Sequence, residues 1–154
     1  MGSVTHNTFV VEREYPKGPD KVFAAFADPA KKKRWYAGGG AHDVANYSLD
    51  FRLGGNEVLV GKMKPGTPIA GAVLTWAHTF DDIVENERIV FTQTLDVGER
   101  RISAAVITVE ISPTDAGSKL KLTHQAAFFG PADGPQMREF GWRALLNAIA
   151  DALD

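Results

Sequence analysis

From Thr8 to Tyr15 the chain sets Phe9, Val11, Arg13 and Tyr15 on one side, a period of two that predicts a first strand. Helical signals follow. In "KGPDKVFAAFAD", Pro19 suits a first turn, Asp20 complements the positive helix end, and Val22, Phe23 and Phe26 supply an apolar face. Asp28-Pro29 repeats the start signal as N-cap and first helical position, predicting a second short helix over "PAKKKRWY". The run Lys31-Lys32-Lys33-Arg34 inside it reads as a solvated helix face rather than an anion patch.

Strand periodicity returns at Val44. "VANYSLDFRL" alternates Tyr47, Leu49, Phe51 and Leu53 against Asn46, Ser48, Asp50 and Arg52, and Gly54-Gly55 marks a hairpin. "NEVLVGKMK" should run back antiparallel to Pro65-Gly66, and an extended stretch should run from Ile69 to about Val84. In "RIVFTQTLDV", Ile89, Phe91, Gln93 and Leu95 share a face. "RISAAVITVEIS" is a further strand, and "SKLKLTHQAAF" turns Leu120, Leu122, His124, Ala126 and Phe128 one way and Lys119, Lys121, Thr123 and Gln125 the other. One apolar and one wet face predict an antiparallel sheet covered on a single side.

The cover should be "DGPQMREFGWRALLNAIADALD". Asp133, Pro135 and Gln136 are start signals, and Met137, Phe140, Gly141, Ala144, Leu145, Ala148, Ile149 and Ala152 recur at helical spacing. On this reading the small residues Gly141, Ala144, Ala148 and Ala152 either pack closely on the sheet or leave volume for a ligand. Trp142, Leu146 and Leu153 then fall outside the stripe, where they could wrap core edges or make a homodimer contact. The order is one strand, two short helices, about six further antiparallel strands and a long C-terminal helix. That is an α+β arrangement with one helix across a strongly curved sheet.

A chain of 154 residues with 44% hydrophobic content has the material for one domain with a sizeable core. The formal charge of −2 gives no general basic field, so nucleic-acid binding is not implied. With no cysteine, disulfides, thiolate metal sites and a Cys nucleophile are excluded. "MGSVTHNTFVVERE" has no basic-then-apolar signal pattern, and no apolar run approaches a membrane span, so a cytoplasmic setting is the expectation. Asn46-Tyr47-Ser48 fits a glycosylation sequon, a match common by chance.

Candidate chemistry narrows further. Gly38-Gly39-Gly40 would cradle a phosphate only after a strand and before a helix, and here the order is reversed with no Lys-Ser/Thr behind it. The glycines read as a helix end or as a mobile lip, and Trp35 and Tyr36 beside them as core anchors or pocket-edge contacts. His6, His42, His78 and His124 show no metal-ligand spacing, so no metal is expected. Alternation turns His124 inward with Leu120, Leu122 and Phe128, either as a hydrogen-bonded core residue or as a group that orients a ligand. His78, alternating with Leu74, Trp76 and Phe80, carries the same ambiguity. No Gly-x-Ser-x-Gly occurs, and the adjacent Asp81 and Asp82 point to opposite faces of a strand.

Several stretches are similar to the START-like superfamily (SRPBCC, Bet v 1-like), in its branch of activator of heat-shock protein 90 ATPase homologues. They are "REYPKGPDKVFAAFADPAKKKRWY", "DFRLGGNE", "ENERIVFTQTL", "TVEISPTDAGSKLKLTHQAAF" and "GWRALLNAIADAL". Together they cover nearly the whole chain in order. The departures are local: "ENER" replaces prolines before Arg88, and Gln93 stands where an aromatic is common. The resemblance implies a single helix-grip domain over residues 1–154, with six to seven strands wrapped around the long helix and a cavity between them. It also implies that the chain has no room for the additional N-terminal domain of the true co-chaperone.

Binding of a small, mostly hydrophobic ligand (lipid, sterol or polyketide-like) without a cofactor is therefore the leading expectation. Trp35, Phe51, Trp76, Phe91, Gln93, His124, Phe128 and Trp142 are the candidate lining residues. A cyclase- or hydrolase-type enzyme would need His124 as acid or base, and no catalytic residue is otherwise assigned. A co-chaperone-like protein contact is the third expectation.

Overall fold

The structure is a computed structural model that describes residues 3–38, 40–130 and 134–154. Gly39 of the triple-glycine run and the start signal at Asp133 lie outside the described residues. The elements follow in the order β1 (Val4–Tyr15), α1 (Pro19–Ala27), α2 (Pro29–Tyr36), β2 (His42–Leu49), β3 (Asn56–Met63) and β4 (Val73–Val84). After them come β5 (Arg88–Val97), β6 (Arg100–Thr114), β7 (Gly117–Phe129), α3 (Gly134–Ala148) and a terminal 3-10 turn, Ile149–Ala152.

Seven strands form one antiparallel sheet in the order β1-β7-β6-β5-β4-β3-β2. Only β1 departs from neighbour-to-neighbour hairpins, pairing with β7 from Val4↔Phe129 to Tyr15↔Ser118. Register shifts at Val44/Asn46, Phe80/Asp82 and Leu95/Asp96 insert extra residues. Such bulges bend strands and curve the sheet. The helices lie on its concave side, where Val22, Phe26, Ile89, Phe91, Ile107, Val109, Leu120, Leu122 and Leu146 are buried in one cluster.

Local signals carry through to these elements. Pro19 opens α1, and the Asp28 carboxylate caps α2 by accepting from the amides of Ala30 and Lys31 at 2.9 and 3.3 Å. The helix ends at Tyr36 because Gly38 brings the chain back over the last turn. A side chain there would stand 2.5 Å from the Arg34 carbonyl oxygen. No helix begins after the glycines, since β2 follows, so the phosphate-loop geometry is missing.

Two expectations are corrected. The strand foreseen from Val44 to Leu53 stops at Leu49, leaving Phe51 half-buried in a loop and Leu53 66% exposed. Gly55 is buried beneath this loop, and a Cβ on it would meet the Asp50 carbonyl oxygen at 2.1 Å, so the chain folds back on itself here.

The second correction is the phase of α3. Its buried residues are Arg138, Trp142 and Leu146, continued by Ile149, Ala152 and Leu153. Met137, Phe140, Gly141 and Ala144 are exposed, and Leu145 and Ala148 are half-buried. Both stripes have helical spacing. Met137, Phe140 and Leu145 are bulky too, so size alone does not select the phase. Arg138 and Trp142 meet partners on the sheet and α2, while Ile149 and Ala152 of the predicted stripe are buried as expected. Trp142, Leu146 and Leu153 are thus core residues of their own chain rather than dimer contacts. Phe140 is 73% exposed, so Phe140→Ser should change stability by less than about 0.5 kcal/mol in a urea unfolding curve. A loss of several times that would restore the other phase.

Candidate functional site

The concave face carries a buried line of polar side chains from α2 across the sheet to α3. Lys32, on the same helical face as Trp35 and Tyr36, is 2% exposed, which corrects the solvated reading for this one residue, while Lys33 and Arg34 are exposed as expected. Its Nζ sits 3.0 Å from Glu57 Oε1 of β3 and 4.9 Å from the centre of the Tyr36 ring. The same Glu57 oxygen lies 2.8 Å from His78 Nδ1, and Tyr47 donates to Glu57 Oε2 at 2.5 Å. Burial alone would favour a neutral Glu57. Lys32, then His78 and Tyr47, outweigh it and hold the carboxyl at about 2.

His78 is neutral because burial depresses its affinity for a proton more than Glu57 restores it. The carboxylate can only accept, so Nδ1 carries the proton. Nε2 then accepts from the Gln93 amide at 2.7 Å and from the Tyr36 hydroxyl at 3.2 Å. Burial, reinforced by Glu57, pushes the Tyr36 phenol well above its ordinary range, so it stays a donor. Gln93 is oriented from its other side, where its Oε1 accepts from Arg138 Nη1 at 3.3 Å.

Arg138 completes the line from α3. Its Nη2 donates to Ser103 Oγ at 2.8 Å, and its guanidinium lies 5.1 Å over the Phe128 ring. Through Arg138 the first half of α3 is tied to β5 and β6 by a long side chain rather than by close backbone packing. Further along the helix the attachment is apolar, with Trp142 stacked 6.4 Å from Tyr36 and tilted against Phe91 at the same distance. Tyr15 then donates to the Leu146 carbonyl at 2.7 Å.

His124 is inward as alternation requires and is fully buried, but it is not the hydrogen-bonded core residue that was one of its two readings. Neither ring nitrogen has a partner among the described residues. Phe9 stacks on it at 4.5 Å with 10° between the planes. Burial, then the nearby Arg138 charge, lower its pKa to about 3, against an opposing effect of its own main chain.

The candidate lining residues divide into two groups. Phe91, Gln93, His124, Phe128 and Trp142 surround Arg138 or its partners. Trp35 anchors α2 instead, donating from its indole to the Ala25 carbonyl at 2.7 Å. Phe51 packs on Phe23 and Phe80, and half-buried Trp76 packs on His42 at the far end of the sheet. Sequence reasoning missed Lys32, Glu57, Ser103 and Arg138. For Lys32 and Arg138 a signal existed, since each recurs at i+3 or i+4 with buried aromatics.

As acid–base equipment, His78 with its orienting carboxylate has what His124 lacks. Its Nε2 is already occupied. Among the described residues no three of the His, Asp and Glu side chains converge to hold a metal, and no helix is long and apolar enough to cross a membrane. An open hollow of about 490 Å³ lies on the other side of the sheet, lined by Thr8, Thr92, Thr94, Ala104, Val106 and Gln125. Of the polar line only Gln93 borders it, beside Ala105 and Ala126, and the rest of the line lies on the concave face.

The family model described as Activator of Hsp90 ATPase homolog 1-like protein matches residues 18–154. Among solved structures, an uncharacterised protein of Rhizobium leguminosarum is 32% identical with a TM-score of 0.89, covering 99% of this chain and 97% of its own. A protein of Rhizobium loti is 42% identical with a TM-score of 0.85, covering 98% and 99%. An AHSA1-like protein of Aeromonas hydrophila, 18% identical with a TM-score of 0.70 over 95% and 91% of the two chains, shares the fold. No curated protein matches.

Proposed function

The chain belongs to the Activator of Hsp90 ATPase homolog 1-like family of the Bet v 1-like superfamily, a fold that commonly binds hydrophobic ligands, and from that premise we propose that it binds a small, mostly apolar molecule beneath the first half of α3. The ligand class is lipid, sterol or polyketide-like. Arg138 carries the reading. It reaches from α3 to Gln93 and Ser103 across a surface whose other members are Phe91, Phe128 and Trp142. Arg138 is long and flexible, and a change of its rotamer would uncover the aromatic surface it lies on. The apolar walls it leaves would then surround a ligand, with a few polar groups to orient it. Trp35, Phe51 and Trp76 support this wall from behind or from its ends.

Thermal unfolding with palmitate, cholesterol and the polyketide naringenin tests the reading. A bound ligand at about a hundred times its Kd stabilises by about 2.7 kcal/mol, a rise of roughly 5–10 °C in Tm for a chain of this size. At least one of the three should produce that rise and a one-to-one complex in native mass spectrometry. If none does, the proposal fails.

A further inference from the structure

His124 is buried completely, and its ring nitrogens are both unpartnered among the described residues. Folded proteins rarely leave such a group without a use, because its lost hydration is not replaced. The strand registers describe what surrounds it. Phe9 and Ile107 are its neighbours on β1 and β6. Two residues further along β7, Ala126 faces Ala105 of β6, and beyond them Phe128 faces Ser103. Gln93 borders Ala105 on the other side. Two alanines among larger side chains make a low floor, and the Arg138 guanidinium spans it from Gln93 and Ser103 to Phe128.

We propose that His124 anchors the hydroxyl group of an apolar alcohol or phenol whose hydrocarbon part lies on the Ala105–Ala126 floor against Phe128. This rests on the ligand-binding reading and narrows it. The imidazole is held neutral by burial and by the Arg138 charge, so one nitrogen donates and the other accepts. A hydroxyl also does both and suits either nitrogen. A carboxylate can only accept, so it suits the N–H alone, and its charge has to be taken out of water on entering the site. A hydrocarbon without a polar group leaves the imidazole as it was.

Three ligands of one shape test this: para-propylphenol, propylbenzene and para-propylbenzoate, titrated near neutral pH. The phenol should bind at least roughly tenfold tighter than either of the others, the scale of one buried hydrogen bond. His124→Phe, which keeps a ring stacked on Phe9, should remove the advantage over propylbenzene. The ring-nitrogen NMR shifts of His124 in the unaltered protein should move when the phenol is added, a readout independent of how the variant folds. Benzoate binding as tight as the phenol, an advantage that survives His124→Phe, or unmoved ring nitrogens would each overturn the hydroxyl anchor and leave the ligand-binding reading standing. If none of the three binds, the anchor also falls. The broader reading falls only if palmitate, cholesterol and naringenin fail as well.

Discussion

Glu57→Gln should lower the stability of this protein by about 3–5 kcal/mol, because it strands the buried Lys32 ammonium without its counter-charge. The partners are 2% and 1% exposed, so water cannot take over the lost interaction. Lys32→Met should cost less, since Tyr47 and His78 still hydrogen-bond the remaining carboxylate. The double variant Lys32→Met/Glu57→Gln should recover much of the loss, because no ammonium is left unpaired and the amide oxygen can still accept from His78. Urea unfolding of the four proteins measures this as a double-mutant cycle. If the double variant is as unstable as the sum of the singles, the ion pair is not what holds these segments together. The same carboxylate adds an acid-side dependence. Its folded pKa of about 2 lies below the unfolded value, so its contribution is complete above about pH 4.5 and fades as pH falls towards 2.

The second large effect comes from His124 at milder acidity. Its pKa falls from about 6.5 in the unfolded chain to about 3 in the fold. Below pH 6.5 the unfolded chain therefore binds a proton that the folded one refuses, and stability falls as pH falls. The slope approaches about 1.4 kcal/mol per pH unit below the unfolded pKa, so roughly 2 kcal/mol should be lost between pH 6.5 and pH 4.5 from this residue alone. His78, also held neutral by burial, acts in the same direction. Denaturation midpoints of the unaltered protein and of His124→Phe across this range give the comparison. The variant should be at least as stable near pH 7, having lost two unsatisfied nitrogens, and should show the flatter profile. Parallel profiles would mean that His124 is protonated in the folded protein.

Most of the fold was legible in the chain. Residues 88–97 show why: Ile89, Phe91, Gln93 and Leu95 alternate inward, and β5 has those bounds. Asp28-Pro29 likewise marked the start of α2, because an N-cap acts on amides two and three residues away. The phase of the first part of α3 was not legible, since the helix carries two apolar stripes of equal spacing. Which one is buried depends on the surface it meets. The candidate site was half legible. Gln93, His124 and Phe128 were placed inward by alternation alone, but Arg138 was passed over because a charged residue at a helical position reads as solvated until its partners are known.

Periodicity, caps and turn residues act within a few residues of themselves, so one segment at a time could be read for its type, and their order then implied the curved sheet under a long helix. The polar line belongs to another scale. Lys32 and Glu57 are 25 residues apart, Gln93 and Arg138 are 45 apart, and which residue each one meets cannot be read from either segment alone. Those meetings arise only when strand register and helix docking bring charges into a space that water has left. There a lysine becomes a core residue, and a histidine is left without a hydrogen-bond partner among the described residues.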